Sequence, residues 1–232
     1  MKRRNFIQST SVFLAGTTLS SVAPLNLFAN NLADKIRFAV IGVNGMGWSN
    51  LNALLKDPRA ECVALCDVDQ NVLSRRTAEL AKRNINVSSA ANYQELLTNK
   101  NIDAVVIGTP DHWHALQAIA AIKSGSHVYL QKPISVDVIE GEAVVAAARK
   151  YNKMVQVGTQ RRSTPHLWDA KKQVLDGGML GKISHVEICC YYHMRANGNP
   201  PLEPVPAFLD YELWTGPAPL RPDDGLPHTR WW

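Results

Sequence analysis

The sequence predicts a doubly wound α/β fold, a parallel sheet covered by helices on both faces. Three observations lead there. Short runs that are apolar throughout alternate with segments of helical periodicity. The runs lack polar/apolar alternation, so each strand is expected to be buried on both faces. The first run passes straight into a glycine-rich turn followed by a helix, the start of a strand–helix–strand series.

Each element follows in order. Ile36–Ile41 (IRFAVI) reads as a strand, and Leu51, Leu54 and Leu55 mark the helix after it. Cys62–Cys66 (CVALC) is the second strand, and Leu73, Leu80 and Ala81 share one helix face. Ala104–Ile107 is a strand. Ala115, Ala118, Ile119 and Ile122 mark a helix ended by Gly125. Val128–Leu130, Val138–Tyr151 and Met154–Val157 read as strand, helix and strand. After Gly158 the pattern changes. Pro165–Leu175 is expected to be a helix closed by Gly177-Gly178, and Ile183–Tyr192 a strand leaving the first domain. Eight of the 13 prolines fall between Pro200 and Pro227, which predicts an extended loop with a short turn at Leu209–Trp214.

The formal net charge is +5, but Lys2, Arg3 and Arg4 stand in a first stretch, 1–29, without any acid. The rest holds 22 basic and 20 acidic residues, too even a balance for a nucleic-acid face. Arg3-Arg4, Asn5-Phe6-Ile7 and the moderately apolar Ser11–Ala23 resemble a twin-arginine export signal. Gly16, Thr17, Thr18, Ser20 and Ser21 make that stretch too weakly apolar for a membrane span. The expectation is a periplasmic protein cleaved after Ala29; Leu27, not a small residue, leaves a retained anchor open. Cys62 and Cys66 lie ~13 Å apart along a strand, at ~3.3 Å per residue, too far for a disulfide. Cys189 and Cys190 point to opposite faces. All four read as buried small hydrophobes.

Gly42-Val43-Asn44-Gly45-Met46-Gly47 occupies the strand-to-helix turn. It follows the dinucleotide fingerprint G-x-G-x-x-G, with Asn44 in place of the second glycine. Asn tolerates a left-handed backbone and Gly45 adds freedom. The helix N-terminus then offers N–H groups to a pyrophosphate. Asp67 ends the second strand, twenty residues beyond Gly47, where a carboxylate accepts ribose hydroxyls. It would repel a 2′-phosphate, and Val68-Asp69 rather than an arginine follows, so NAD is expected over NADP.

A second cluster sits at later strand ends: Gly108-Thr109-Pro110-Asp111-His112-Trp113-His114 and Leu130-Gln131-Lys132-Pro133. In a parallel sheet both leave the carboxyl edge, where the ligand crevice lies. Desolvation there would lower the pKa of Lys132, which could exchange a proton with a substrate hydroxyl. Pro133 suits a turn with a cis peptide. His112 and Trp113 either bracket a cofactor or pack; both readings stand. His166, His185 and His193 have no metal-ligand spacing, and no metal is expected.

These pieces, IGVNGMG, Asp67, GTPDHWHA, QKPIS and QVGTQRRS, resemble the Gfo/Idh/MocA oxidoreductase family in order over 36–162, with weaker similarity through DYELWTGPAP. The resemblance implies an N-terminal Rossmann domain and a C-terminal domain with a large antiparallel sheet. It implies NAD(P)-dependent oxidation or reduction of sugars and cyclic polyols. By position, Lys132 matches the catalytic lysine of the family's E-K-P motif, and Gln131 replaces its glutamate. Gln can hydrogen-bond cofactor hydroxyls but cannot act on Lys132 as a carboxylate. Thr109, Pro110 and His114 match the segment near the nicotinamide ribose, and Gln160 a polar position near the nicotinamide. Arg161 and Arg162 either orient substrate or are solvated. With Gly42, Asn44, Gly45, Met46, Gly47 and Asp67 they complete the expected site.

The expected division is 1–29 export signal, 30–158 Rossmann domain and 159–232 the truncated start of an incomplete α+β substrate domain. The family's downstream Asp/His pair would lie beyond Trp231-Trp232. Three functions compete: an exported NAD-dependent oxidoreductase of a sugar or polyol; a relative of the family's NAD-dependent glycosidases, which oxidise a sugar transiently; and a non-catalytic NAD-binding fragment. A homo-oligomer is expected of the intact protein.

Overall fold

The structure, a computed structural model, describes residues 35–189 and 204–219. The expected export signal and its cleavage point, the end of the Ile183–Tyr192 run with Cys190, His193 and both ends of the proline-rich stretch lie outside the described residues. In chain order the elements are β1 (Ile36–Ile41), α1 (Gly45–Leu54), β2 (Ala60–Cys66), α2 (Gln70–Ala81), β3 (Ser88–Ala90), α3 (Tyr93–Leu96) and β4 (Ala104–Ile107). A 3-10 turn, Asp111–Trp113, then leads into α4 (His114–Ser124), β5 (His127–Gln131), α5 (Val138–Lys150) and β6 (Val155–Gly158). A second 3-10 turn (Gln160–Ser163), α6 (Pro165–Ala170), a π-helical turn (Lys171–Asp176) and α7 (Tyr211–Thr215) follow.

All six strands are parallel, in the order β3-β2-β1-β4-β5-β6. The doubly wound fold is therefore as expected. Side-chain alternation along β1 builds two cores. Phe38 and Val40 pack with Leu51 and Leu73 from α1 and α2. Ala39 and Ile41 pack with Ala118, Ile122 and Val144 from α4 and α5. Each large apolar side chain buried this way contributes about 1.5–3 kcal/mol. A bulge at Val63 shifts the β1–β2 register, since Phe38 faces Cys62 while Ala39 faces Ala64. Cys62 consequently belongs to one core and Cys66 to the other, and both thiols are free.

Two elements carry too little periodicity to be read from sequence. β3 is Ser-Ser-Ala at the sheet edge, held by backbone pairing to β2. The four-residue α3 is started by Asn92, whose side chain accepts a hydrogen bond from the Gln94 amide.

The region after β6 differs most from expectation. The Pro165–Leu175 helix is present, but it widens to the π-helical turn before Gly177. The expected strand over Ile183–Tyr192 does not form within 183–189: that stretch pairs with no other strand, and its residues are exposed. An apolar run becomes a strand only when another strand takes its backbone groups, and none among the described residues does so. Cys189 is exposed rather than buried, for the same reason. The described part of the proline-rich stretch, by contrast, is docked. Leu209 forms an antiparallel bridge with Asp69, the Gln70 amide donates to Phe208 O (2.9 Å), and the Asp210 amide donates to Val68 O (3.0 Å).

Candidate cofactor-binding site

Strand order reverses between β1 and β4, so the segments leaving their carboxyl ends diverge and open a crevice. A cavity of about 500 Å³ lies there. Its wall takes residues from the β1–α1 turn, the ends of β2, β4 and β5, and the docked segment near 209–214.

The glycine turn is built around close approach. Gly42 has φ +79°, and a Cβ on it would stand 2.7 Å from the Thr109 amide nitrogen. A Cβ on Gly47 would stand 1.7 Å from the Gly42 carbonyl oxygen. Only glycine fits either position, so the turn can sit flush against the β4 exit. Asn44 differs from expectation. Its backbone is extended (φ −102°) as it caps α1, and Gly42 and Gly45 take the left-handed conformations. The helix then begins at Gly45, so its first-turn amides, with Gly45 and Met46 on the cavity wall, lack intrahelical acceptors and suit an anion.

Asp67 is fixed by two backbone amides: Oδ2 accepts from Val43 (2.9 Å) and Oδ1 from Asp69 (3.0 Å). The carboxylate is thereby tied to the glycine turn itself. Neighbouring Asp69 is buried and caps α2, accepting from the Val72 amide at 3.0 Å.

At the β4 exit, Thr109 and Pro110 line the cavity, and the Thr109 hydroxyl donates to the buried Gln117 Oε1 (2.7 Å). His114 is wholly buried behind this wall. Its Nε2 faces Thr109 O at 2.8 Å and its Nδ1 faces Pro133 O, clasping the β4 exit to the β5 exit. By sequence His114 matches the segment near the nicotinamide ribose; in the structure its ring is off the cavity wall, buried between two carbonyls.

Lys132 and Gln131 line the cavity at the end of β5, and the Lys132–Pro133 peptide is cis as expected. Lys132 is exposed. Gln131 is buried, and its Oε1 accepts from Gln160 Nε2 at 2.7 Å. Burial raises the nearby Tyr129 phenol above its usual pKa, and a hydrogen bond with Gln160 partly opposes this. Arg161 and Arg162 are exposed and off the cavity wall.

Sequence reasoning missed one end of the cavity. Val72, Tyr93, Leu209, Leu213 and Trp214 join Trp113 there. Tyr93 and Trp113 meet edge to face at 5.5 Å. His112 and Trp113 turn out to hold the docked segment, since His112 Nε2 bonds Trp214 O (3.0 Å) and Trp113 Nε1 donates to Leu213 O (3.0 Å) and Trp214 O (3.1 Å). Trp113 packs in this way and also lines the cavity. The one available signal was Leu-Trp-Thr-Gly-Pro, a short helix followed by a glycine that must turn.

Residues 36–159 match the family model for the Gfo/Idh/MocA oxidoreductases, described as an NAD-binding Rossmann fold. The chain belongs to this family. A curated relative, a glycosyl hydrolase family 109 protein of Shewanella baltica, is 28% identical over 83% of this chain and 46% of its own length. The chain thus spans about half the length of the curated relatives it matches. Among solved structures, myo-inositol 2-dehydrogenase from Lactobacillus plantarum is similar with TM-score 0.57 and 31% identity, covering 64% of this chain and 43% of that one. The WlbA dehydrogenase from Bordetella pertussis, in complex with NADH and UDP-GlcNAcA, gives 0.58 and 28%, covering 63% and 43%. The 3-ketoreductase KijD10 from Actinomadura kijaniata, a complex with NADP and TDP-benzene, gives 0.56 and 26%, covering 62% and 43%. The family is described as NAD-binding, and the residues of the crevice fit a dinucleotide: its glycines leave no room for side chains, and a fixed carboxylate stands at the end of β2.

Proposed function

We propose that this protein is an exported, NAD-dependent oxidoreductase acting on a hydroxyl group of a sugar or polyol. One observation carries the reading. Asp67 and Lys132 line a single cavity from the ends of β2 and β5, with β1 and β4 between them. At ~4.8 Å per strand step the two exits stand roughly 14 Å apart, which suits an extended dinucleotide. Gly42, Gly45, Met46 and Gly47 would hold the pyrophosphate, and Asp67 the adenosine ribose. Thr109, Pro110 and Gln131 would lie towards the nicotinamide, with Gln160 acting through Gln131.

Bound nicotinamide supplies the hydride acceptor or donor. Lys132 Nζ, at the cavity rim, takes or returns the proton of the reacting hydroxyl. Asp67 supports NAD over NADP, because its charge and that of Asp69 oppose a 2′-phosphate. The relatives' complexes include both NADH and NADP, so the preference rests on these carboxylates. Arg3-Arg4 and the apolar stretch after them support export to the periplasm, and among the described residues no helix is long and apolar enough to cross a membrane.

Titration with NADH and NADPH, followed by nicotinamide fluorescence, tests the cofactor assignment. Saturable NADH binding, tighter than NADPH, is expected; no saturation at millimolar NADH would sink it. The family 109 relatives favour a second reading, NAD-dependent glycoside cleavage. Aglycone release without net NADH would select it, and net NADH formation would select the oxidoreductase.

A further inference from the structure

The cavity is not completed by the Rossmann elements. The roof near its β2 end comes from Leu209, Leu213 and Trp214, more than fifty residues after the last strand. This segment is held at both sides of the crevice. On the β2 side it bonds Val68 and Gln70 through the backbone; on the β4 side its carbonyls accept from His112 and Trp113. It therefore crosses the cavity as a strap. Asp210 starts its helical turn by accepting from the Leu213 amide at 2.9 Å. Gly216 ends that turn with φ +55°, where a Cβ would stand 2.2 Å from the Trp113 ring. The seat thus requires glycine both for its backbone angle and for its contact.

The strap closes the end of the cavity next to Asp67. Flat or apolar side chains contribute much of the wall, namely Val72 from α2, Tyr93 from α3, Trp113, and Leu209 and Leu213 from the strap, with Asp69, Asn92 and Asp111 also on the cavity wall. A carboxylate for ribose hydroxyls beside an apolar slot is the chemistry that receives a purine base. We propose that Leu209–Trp214 forms the adenine wall of the cofactor pocket and holds the adenosine half in place. The inference rests on the cofactor reading above. It makes Leu213 and Leu209 base-contacting residues and Gly216 and Trp113 positioning residues. Release of the dinucleotide then requires the strap to loosen.

The test uses the full 232-residue chain and its Leu213→Ser, Leu213→Asp and Gly216→Ala variants. Affinities for NADH and for ADP-ribose, which lacks nicotinamide, are measured together with NADH dissociation rates and apo melting by circular dichroism. Leu213 is only half-buried, so its variants are expected to melt as the unaltered chain does. Leu213→Asp should weaken NADH and ADP-ribose by the same factor, about tenfold or more, equivalent to about 1.4 kcal/mol or more. Gly216→Ala should speed NADH dissociation. Unchanged affinities and rates in all three variants, with NADH still bound by the unaltered chain, would overturn the strap alone. So would weakened NADH with unweakened ADP-ribose. Absence of saturable NADH binding by the unaltered chain would overturn the cofactor reading and the strap together.

Discussion

Two segments follow the sheet, and their fates are opposite. Residues 165–189 carry Leu167, Trp168, Leu175, Met179, Leu180, Ile183, Val186 and Ile188, all exposed. Residues 204–219 carry four prolines, yet they bury Leu209 and Thr215 and bond the sheet's carboxyl edge on both sides of the crevice. The first looks like structure and the second like a loop. The difference lies in partners: the strap finds a bridge at Asp69 and donors at His112 and Trp113, while 183–189 finds no strand among the described residues. Hydrophobicity supplies a tendency to bury, but backbone groups must also be satisfied before a segment settles.

Amide exchange is the most direct way to break this comparison. Asp210 and Gln70 should exchange at least about a thousandfold more slowly than the amides of 184–187, since local opening costs range from near zero to the global stability. Equal rates would erase the distinction. Chymotrypsin should agree, cutting after Trp168, which is 59% exposed, before it cuts after Trp214.

Alkaline pH separates the sheet from the exposed arm. Burial pushes the Cys62 thiol up to about 12, and burial with the Asp67 and Glu95 charges does the same for Cys66. Below the ordinary thiol range both folded and unfolded states keep the proton, so no pH dependence arises. Above pH ~9 only the unfolded chain releases it, and stability falls as pH rises towards 12, by about 1.4 kcal/mol per pH unit for each thiol. Urea midpoints between pH 8 and 11 check this; a flat profile would contradict it. At pH 8 the exposed Cys189 should alkylate while Cys62 and Cys66 do not.

Within the strap the expected effects are smaller. Gly216→Ala should cost the docked state about 1–3 kcal/mol, the usual cost of overpacking, and lower the exchange protection of Asp210. Trp113→Phe keeps most of the ring but removes the donor shared by two carbonyls. Its expected cost is about 1 kcal/mol, read from the same amide. A larger effect from Trp113→Phe than from Gly216→Ala would mean that hydrogen bonding, not fit, seats the strap.

Much of the site was legible because it depends on local backbone needs. Gly42 and Gly47 stand where a turn must touch the β4 exit, and Asp67 stands at a strand end. His114 was matched to the crevice by position, which says nothing of which way the ring turns. In the structure it turns inward, between two carbonyls. Arg161 and Arg162 were candidates by position alone, and both are exposed and off the cavity wall.

The sequence by itself determined five of the six strands in their chain order, the two-faced burial of β1 and the glycine turn, because these follow from periodicity and from steric limits within a few residues. Tertiary structure alone decided that a proline-rich segment roofs the crevice, that the apolar run 183–189 pairs with no strand among the described residues, and that a bulge sends Cys62 and Cys66 to opposite cores. Each of those outcomes depends on contacts between residues far apart in the chain, or on the register of one strand against another, and no local pattern encodes such a choice.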